Sequence, residues 1–256
     1  MFGFLNSVIR LSVGLVFTGV VVLTGVIALI PIIPWHDKRI RLSNHLGTVL
    51  GSGIMWISGC KVTVHGQENI VPGQPAIFAG NHTSIFDAFT SIWLSPQGTV
   101  GVAKKQIIYY PFYGAAWLLA GHLTVDRSNT ANAKASMKRM GEFVRAKGLS
   151  LFMWPEGTRS RNGRLLPFKK GVVHLALQTG LPIVPMVTAG AHRAWKKATL
   201  FTLRSVPIDI TFLPAIDTSG WTEERMEEHL EELRAVIAAA LPSEQRPADP
   251  VELAAA

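Results

Sequence analysis

The N-terminal part of the chain is dominated by apolar positions. No Asp, Glu, Lys or Arg occurs between residues 11 and 36. Residues 11–30 alone would form a helix about 30 Å long, which matches the hydrocarbon core of a bilayer. Pro31 and Pro34 are expected to end this helix, and a second weakly polar run follows at residues 42–60. The pattern therefore predicts two N-terminal helices that contact lipid.

Beyond residue 60, short apolar runs alternate with segments of helical periodicity. The runs typical of strands lie at residues 61–65, 76–80, 99–103, 123–125, 151–154, 183–187 and 208–213. The helical segments lie at residues 85–94, 112–119, 131–147, 171–179 and 222–241. Strands that alternate with helices indicate an α/β fold, with a mixed, largely parallel central sheet flanked by helices. We therefore predict hydrophobic membrane-anchoring helices at 1–60, an α/β domain at 61–241 and a frayed C-terminal tail at 242–256.

Two placements of the N-terminal helices remain open. In the first, one helix spans the membrane and the basic residues Lys38, Arg39 and Arg41 stay on the cytoplasmic side. In the second, both runs form a hairpin that dips into one leaflet. A double span would put the basic residues outside and is the least favoured. A buried core helix does not suit the first run, which is too long and too uniformly apolar.

Composition and charge narrow the class of partner. The chain is 48% hydrophobic and 16% charged, where soluble domains average about a quarter charged. Its net charge is +8, and a basic domain beside an apolar segment suits membrane lipids with anionic headgroups or anionic substrates. Nucleic acid is not expected, because zinc-finger spacing, RNA-recognition signatures and basic-aromatic stripes are missing from the sequence. Cys60 is the single cysteine, so an internal disulfide cannot form.

The stretch NHTSIFDAF at residues 81–89 pairs a histidine with a carboxylate. His82 can act as a general base near neutral pH, and Asp87 can orient its ring and stabilise the protonated form. Five steps along one helix would put the two side chains about 140° apart. They can meet if His82 lies in a turn and Asp87 in the first turn of the next helix. The alternative is a capping box from Ser84 to Asp87, with His82 an ordinary loop residue.

A second polar stretch, WPEGTRS at residues 154–160, follows a predicted strand. Gly157 permits an unusual backbone conformation or the close approach of a ligand. Arg159 can hold a phosphate through its planar guanidinium group. Glu156 either positions a substrate hydroxyl or pairs with an arginine, and the sequence leaves both open.

These stretches, in this order, resemble the glycerolipid acyltransferase family, most closely its bacterial 1-acyl-sn-glycerol-3-phosphate acyltransferases. The resemblance covers about residues 60–215. The matching residues are Asn81, His82 and Asp87, then Lys105, Pro111, Gly114, Asp126 and Arg127, then the intact Pro-Glu-Gly-Thr-Arg-Ser at 155–160, and the Pro-Ile-Val-Pro strand at 182–185.

The resemblance implies that an acyl chain passes from a thioester, acyl-CoA or acyl carrier protein, to the 2-hydroxyl of lysophosphatidic acid, which gives phosphatidic acid. His82 would be the general base and Asp87 its orienting partner. The implied substrate-binding residues are Lys105, Arg127, Glu156, Gly157, Thr158 and Arg159. Neither a metal nor a cofactor is expected. A pair of N-terminal helices would anchor the enzyme to one membrane face, the cytoplasmic face of the inner (plasma) membrane, which favours the hairpin.

Two other functions compete with this one. Within the same fold, the acceptor could be another lysolipid, such as a lyso-ornithine lipid. From a different class, the chain could be a non-catalytic membrane-anchored lipid-binding protein. The intact His82 and Asp87 argue against this, because binding alone does not require a base.

Overall fold

Seven strands form one mixed sheet within the residues that the computed structural model describes, 2–110, 113–126, 130–195 and 202–248. They are β1 (Lys61–His65), β2 (Ile77–Gly80), β3 (Thr99–Lys104), β4 (Leu123–Val125), β5 (Ser150–Met153), β6 (Ile183–Ala189) and β7 (Pro207–Phe212). Their order across the sheet is β1-β7-β6-β2-β5-β3-β4, and all neighbours run parallel except β6 and β7. The predicted α/β fold with a mixed, largely parallel sheet is confirmed.

Helices cover both faces of this sheet. They are α1 (Phe2–Leu29), α2 (His36–Ser58), α3 (Phe86–Leu94), α4 (Tyr113–Leu119), α5 (Thr130–Lys147), α6 (Gly171–Thr179), α7 (Ala191–Ala194) and α8 (Met226–Ala240). The predicted helical segments agree with these to within a few residues, but Phe112, where one of them was expected to begin, lies outside the described residues.

Alternation along the central strands divides the core into two layers. Ile77 of β2 and Leu151 of β5 join apolar residues of α5, α6 and α8 in one cluster. The intervening Phe78 and Phe152 join apolar residues of α2 and α3 in the other. Successive side chains of a strand point to opposite faces, and both faces here are covered. Continuous apolar runs such as Ile-Phe-Ala in β2 are therefore required in place of an apolar-polar alternation.

The connection between α1 and α2 differs from the expected one in a single respect. Helix α2 begins at His36 rather than at residue 42, so the basic residues lie in its first turns. Asp37 in the first turn suits the positive end of the helix dipole. Arg39 donates to the carbonyl oxygens of Leu118 and Leu119 at 3.2 Å each, at the end of α4. Arg39 thus binds α2 to α4.

Helix α1 leaves most of its apolar surface uncovered. Its apolar window has a mean hydropathy of 2.6 and is 11% buried, and among the described helices it is the one long and apolar enough to cross a membrane. Leu15, Val16 and Leu23 are 74%, 67% and 63% exposed, and Trp56 of α2 is 83% exposed. The two helices together present a broad apolar face, the surface predicted to contact lipid.

The helical hairpin is attached to the α/β domain at both of its ends. Near the start of α1, the Ser7 hydroxyl donates to the carbonyl of Leu203 at 3.2 Å, and Arg10 donates to the Ser205 hydroxyl. Where α2 begins, Nε2 of His36 donates to the Gly121 carbonyl at 2.7 Å. The hairpin therefore lies along the domain and does not project away from it.

Between its ends, the hairpin packs directly on the helix that follows β2. A β-carbon added at Gly51 of α2 would lie 2.2 Å from the carbonyl oxygen of Phe89 in α3. At Gly47, one turn earlier, it would lie 3.3 Å from the carbonyl oxygen of Ile92. Small residues at this spacing let two helix backbones approach closely, so α2 and α3 form one packed unit.

The C-terminal segment is more ordered than its composition indicates. Gln245 is fully buried, accepts from the backbone N–H of Gly190 at 2.7 Å through its side chain, and accepts from that of Leu165 at 2.8 Å through its carbonyl. The expectation of a frayed tail from Pro242 onward is therefore wrong for residues 242–248. Residues 249–256 lie outside the described part.

Candidate active site

The loop after β2 and the first turn of α3 bring a histidine and an aspartate together. Nδ1 of His82 lies 3.0 Å from Oδ2 of Asp87. His82 precedes α3 in the turn and Asp87 is in its first turn, the arrangement in which the sequence allowed the two to meet. A carboxylate only accepts hydrogen bonds, so Nδ1 carries a proton, and Nε2 has no hydrogen-bond partner among the described residues. With Nε2 unprotonated, this is the tautomer that a general base requires.

The same carboxylate oxygen also shapes the turn. Oδ2 of Asp87 accepts the backbone N–H of Thr83 at 2.5 Å and that of Ser84 at 2.7 Å, while the Ser84 hydroxyl accepts from Phe86 at 3.3 Å. The capping alternative is thus present together with the His82 contact. Asp87 is 2% exposed, so these contacts take the place of water at Oδ2, while the buried Oδ1 accepts no hydrogen bond from the described residues.

A tryptophan fixes the plane of the histidine ring. The rings of His82 and Trp154 stack with centroids 4.3 Å apart and an interplanar angle of 15°. Trp154 follows β5, which is the parallel neighbour of β2. With one face covered and Nδ1 bonded, the His82 side chain remains 15% exposed, and no hydrogen bond to Nε2 comes from the part of the chain that the structure describes.

The loop at residues 155–160 is joined to the histidine loop by hydrogen bonds in both directions. The backbone N–H of Ser160 donates to the His82 carbonyl at 2.8 Å. The His82 N–H donates to Oε1 of Glu156 at 2.6 Å, and the Leu166 N–H donates to Oε2 at 3.0 Å. Gly157 has a φ of +68°, a region that favours glycine, and it turns the chain directly after Glu156.

The Glu156 carboxylate is thus occupied by the protein itself. Both of its oxygens accept backbone N–H groups, and the residue is 1% exposed. Neither sequence interpretation, a substrate-hydroxyl ligand or an arginine partner, describes these contacts. Burial raises the pKa of Glu156 to about 7, against the opposing effect of its hydrogen bonds from His82 and Leu166.

The other predicted substrate-binding residues are distributed over two places. Thr158 and Arg159 are exposed on the loop that holds Glu156, and Arg159 has no hydrogen-bond or ion-pair partner within the described ranges. Lys105 follows β3, two strands from β2, and pairs with Asp126 at 3.0 Å, a contact that raises the pKa of Lys105. Arg127 and Pro111 lie outside the described residues.

Two residues support the site in ways that sequence reasoning did not foresee, since it gave Asn81 only a place in the matching pattern and Trp154 no role. Asn81 joins β2 to β6, because its amide donates to the Thr188 carbonyl at 2.9 Å and accepts the Thr188 N–H at 2.7 Å. Trp154 supplies the stacked ring. The available signals were the position of Asn81 at a strand end beside His82 and that of Trp154 before the Pro-Glu-Gly stretch. Across the described residues, no group of three His, Cys, Asp or Glu side chains could hold a metal ion.

Comparison with known proteins adds an independent line of information. The Acyltransferase family model matches residues 61–189. The chain is 46% identical, over 89% of its length and 81% of the relative's, to a 1-acyl-sn-glycerol-3-phosphate acyltransferase of Limnanthes douglasii. It is 34% identical to one of Haemophilus influenzae, over 59% of this chain and 62% of the relative. The crystal structure of the 1-acyl-sn-glycerophosphate (LPA) acyltransferase PlsC from Thermotoga maritima shares the fold, with a TM-score of 0.69, 22% identity and 92% coverage of both chains.

Proposed function

The chain belongs to the Acyltransferase family, and from that premise we propose that it transfers an acyl chain from a thioester to the 2-hydroxyl of 1-acyl-sn-glycerol 3-phosphate. The product would be phosphatidic acid, and the donor acyl-CoA or an acyl carrier protein. The observation that carries this proposal is the His82–Asp87 pair, in which Nε2 stays free to accept a proton. Relatives from plants and bacteria that carry the same enzyme name support the choice of acceptor.

The proposed reaction needs one base and no protein nucleophile. The proton of the acceptor hydroxyl passes to Nε2 of His82 as the hydroxyl oxygen forms a bond to the thioester carbonyl carbon. The carbon–sulfur bond then breaks, and the departing thiolate takes the proton from the imidazolium. Asp87 stabilises the imidazolium and keeps Nδ1 protonated. General-base assistance of this kind contributes about 10²–10⁴-fold to the rate.

The acceptor phosphate is assigned to Arg159. Its guanidinium is exposed on the loop whose next residue, Ser160, donates to the His82 carbonyl, and its planar donors suit a phosphate. Gly157 and Thr158, on the same loop, would line the pocket that holds the glycerol. Lys105 would contact the phosphate from the β3–β4 side only if the Lys105–Asp126 pair opened or reoriented, and Arg127 is proposed as a further ligand of the same phosphate. Glu156 is assigned to holding His82 in position.

The membrane arrangement that we propose is a one-sided hairpin. Both ends of the hairpin contact the α/β domain, through Ser7 at one end and His36 at the other. A helix that crossed a bilayer about 30 Å thick could not keep both contacts with a domain on one side. We place the protein on the cytoplasmic face of the inner membrane, where a lipid acceptor can react while its acyl chain stays in the bilayer. Moving that chain into water would cost about 0.8 kcal/mol for each methylene group.

The test of function is turnover by purified protein in mixed micelles. We expect phosphatidic acid from lysophosphatidate with acyl-CoA, acyl carrier protein or both as donor. Lyso-ornithine lipid is the competing acceptor, and faster turnover with it would reject the assignment. Binding of lysophosphatidate without acyl transfer from either donor would indicate a lipid-binding protein.

The test of topology is cysteine accessibility at positions 3 and 36 in intact cells and in inverted vesicles. A one-sided hairpin predicts that both positions react only from the cytoplasmic side. Reaction of position 3 only from the outside would show that α1 spans. Release of the whole protein by high salt would rule out the hydrophobic anchor.

A further inference from the structure

A second apolar surface lies outside the hairpin, between β3 and β4. The chain has three tyrosines, and all of them fall in this connection, at positions 109, 110 and 113. Tyr109 is 74% and Tyr110 56% exposed, and Leu118 of α4 is 51% exposed. We name residues 105–110 and 113–119 the tyrosine segment. So much exposed aromatic and aliphatic surface in one short connection is unusual for a face that meets only water.

The tyrosine segment adjoins the tip of the hairpin. Helix α1 packs against α4, and Arg39 of α2 donates to the last carbonyls of α4. The turn between α1 and α2 also exposes apolar side chains, with Ile33 at 47% and Trp35 at 49%. Lys38 lies over the Trp35 ring, 5.0 Å from its centroid. The apolar surface of the hairpin therefore continues from its tip onto α4.

The tyrosine segment also begins at the edge of the sheet where His82 lies. Strands β2, β5 and β3 are parallel neighbours, so their carboxyl ends share one edge. At the usual spacing of strands, β3 is about 10 Å from β2. The first residue of the segment is Lys105, which carries the ion pair with Asp126 at 3.0 Å. The segment thus connects the tip of the anchor with the open edge of the catalytic site.

We propose that the tyrosine segment is a second lipid-contacting surface, which lies in the headgroup region of the bilayer and holds the catalytic edge of the sheet against it. Tyrosine suits this depth, because its ring is apolar and its hydroxyl needs a polar partner. Lys104, exposed beside the segment, suits the anionic lipid surface. A bilayer is favoured over a protein partner because the surface is continuous with the hairpin, whose lipid contact belongs to the proposed function.

With the tyrosine segment in the headgroup region, the acceptor has only a short path from the bilayer to His82. An acceptor in the leaflet would have its phosphate at the level of Lys105 and Arg159, while its acyl chain stayed among the lipids beside α4. Loss of the tyrosines should therefore impair reaction with bilayer-embedded acceptor and leave reaction with a dispersed one unchanged.

Depth measurement on the full-length protein tests the location. Single cysteines replace Tyr109 and Leu118 in the proposed surface, Val16 in the hairpin and Val71 as the outside control. Val71 is 54% exposed in the loop before β2, at the amino end of that strand and so away from the carboxyl ends where His82 lies. Cys60 is buried, so wild-type protein serves as the labelling blank. An environment-sensitive fluorophore is attached to the introduced cysteine of each variant. The labelled protein is bound to phosphatidylcholine–phosphatidylglycerol vesicles that contain nitroxide-labelled lipid as the quencher.

We expect quenching at positions 109, 118 and 16 and none at 71. Quenching at 16 alone would overturn the proposal and leave the hairpin anchor standing, whereas absence of quenching at 16 would reject the anchor itself. A fluorescence change at 109 that requires added acyl carrier protein would assign the surface to that protein and overturn the lipid assignment.

A kinetic experiment tests the consequence. Tyr109→Ser with Tyr110→Ser should lower turnover of long-chain lysophosphatidate in vesicles at least about fivefold, because two rings that the bilayer partly buries would be lost. Turnover of a short-chain, monomeric acceptor should stay within twofold of wild type. The matched control, Val71→Ser, should change neither rate. An equal loss with both acceptors would place the tyrosines in the reaction site and overturn the proposal.

Discussion

The Glu156 carboxylate accepts the backbone N–H of His82 at 2.6 Å, across 74 positions of sequence. Its other oxygen accepts the N–H of Leu166 at 3.0 Å. One buried side chain therefore joins the turn that holds His82 to the loop that presents Arg159. Since the ring of His82 is held separately by Asp87 and Trp154, Glu156 controls where the backbone of His82 lies, and the other two control how its ring is turned.

Replacement of Glu156 by Gln should lower kcat more than it raises KM. The amide oxygen can accept one backbone N–H, but its NH₂ group faces the second, and an unsatisfied buried donor costs about 1–3 kcal/mol. We expect kcat to fall at least about tenfold and the KM for lysophosphatidate to stay within about threefold. Steady-state kinetics in mixed micelles measures both, with the exposed Glu228→Gln as control. A raised KM with unchanged kcat would make Glu156 an acceptor ligand instead.

The same residue should give the folded protein a characteristic dependence on pH. The pKa of Glu156 is raised from 4.5 to about 7 by burial. Between these values the folded protein holds the proton that the unfolded chain releases, so the contribution of Glu156 is fully present below pH 4.5 and is lost as the pH rises through about 7. A shift of this size corresponds to about 3 kcal/mol.

Thermal unfolding between pH 4.5 and 8 in detergent measures this contribution. The difference in stability between the wild type and Glu156→Gln should change across the window, with the wild type losing more stability as the pH rises. A constant difference would mean that Glu156 ionises with an ordinary pKa in the folded protein.

Local patterns predicted the strands and allowed the meeting of His82 with Asp87, because both depend on residues close in sequence. Strand β2 is recognised by its continuous apolar run. A histidine in the turn before a helix can contact a side chain in the first turn of that helix. The partners of Glu156 and Arg39 could not be predicted in this way. They are backbone N–H and C=O groups, which every residue carries and which only the three-dimensional fold brings near. The burial of Gln245 was missed for the same reason, since its partners are the backbones of Leu165 and Gly190.

Removal of the proposed base should abolish turnover without unfolding the protein. We expect His82→Ala to lose at least about 10²-fold in kcat and to keep its Tm. Asp87→Asn should also lose activity, and should lower the Tm because Asp87 accepts from Thr83 and Ser84. The control is His65→Ala, which removes an exposed histidine at the end of β1. Retention of more than about a tenth of wild-type turnover by His82→Ala would exclude His82 as the base.

Exchange of Arg159 for Lys should weaken acceptor binding selectively. Lysine keeps the charge but loses the planar pair of donors, so we expect the KM for lysophosphatidate to rise about tenfold, a loss near that of one charged hydrogen bond. Slow hydrolysis of the thioester donor, which needs no phosphate, should be unchanged. Arg161→Lys, an exposed position in the same loop, is the matched control. Equal loss of transfer and hydrolysis would contradict a phosphate-specific role.

The close packing of α2 on α3 should make Gly51 intolerant of even one methyl group. A β-carbon there would lie 2.2 Å from the Phe89 carbonyl oxygen, so the helices must separate. Overpacking of this kind costs about 1–3 kcal/mol, which for a chain of this size lowers the Tm by about 3–10 °C. Because α3 carries Asp87, turnover should fall as well.

Three glycine-to-alanine variants provide a graded measurement of this contact. Gly51→Ala should be the most destabilised, and Gly47→Ala, with 3.3 Å of clearance, should lose less. Gly19→Ala of α1 has nothing within 4 Å of the new carbon. It should match or exceed wild-type stability, because alanine favours a helix by about 1 kcal/mol over glycine. Equal Tm values for Gly51→Ala and Gly19→Ala would show that α2 does not lie directly on α3, and the hairpin would then be uncoupled from the helix that holds Asp87.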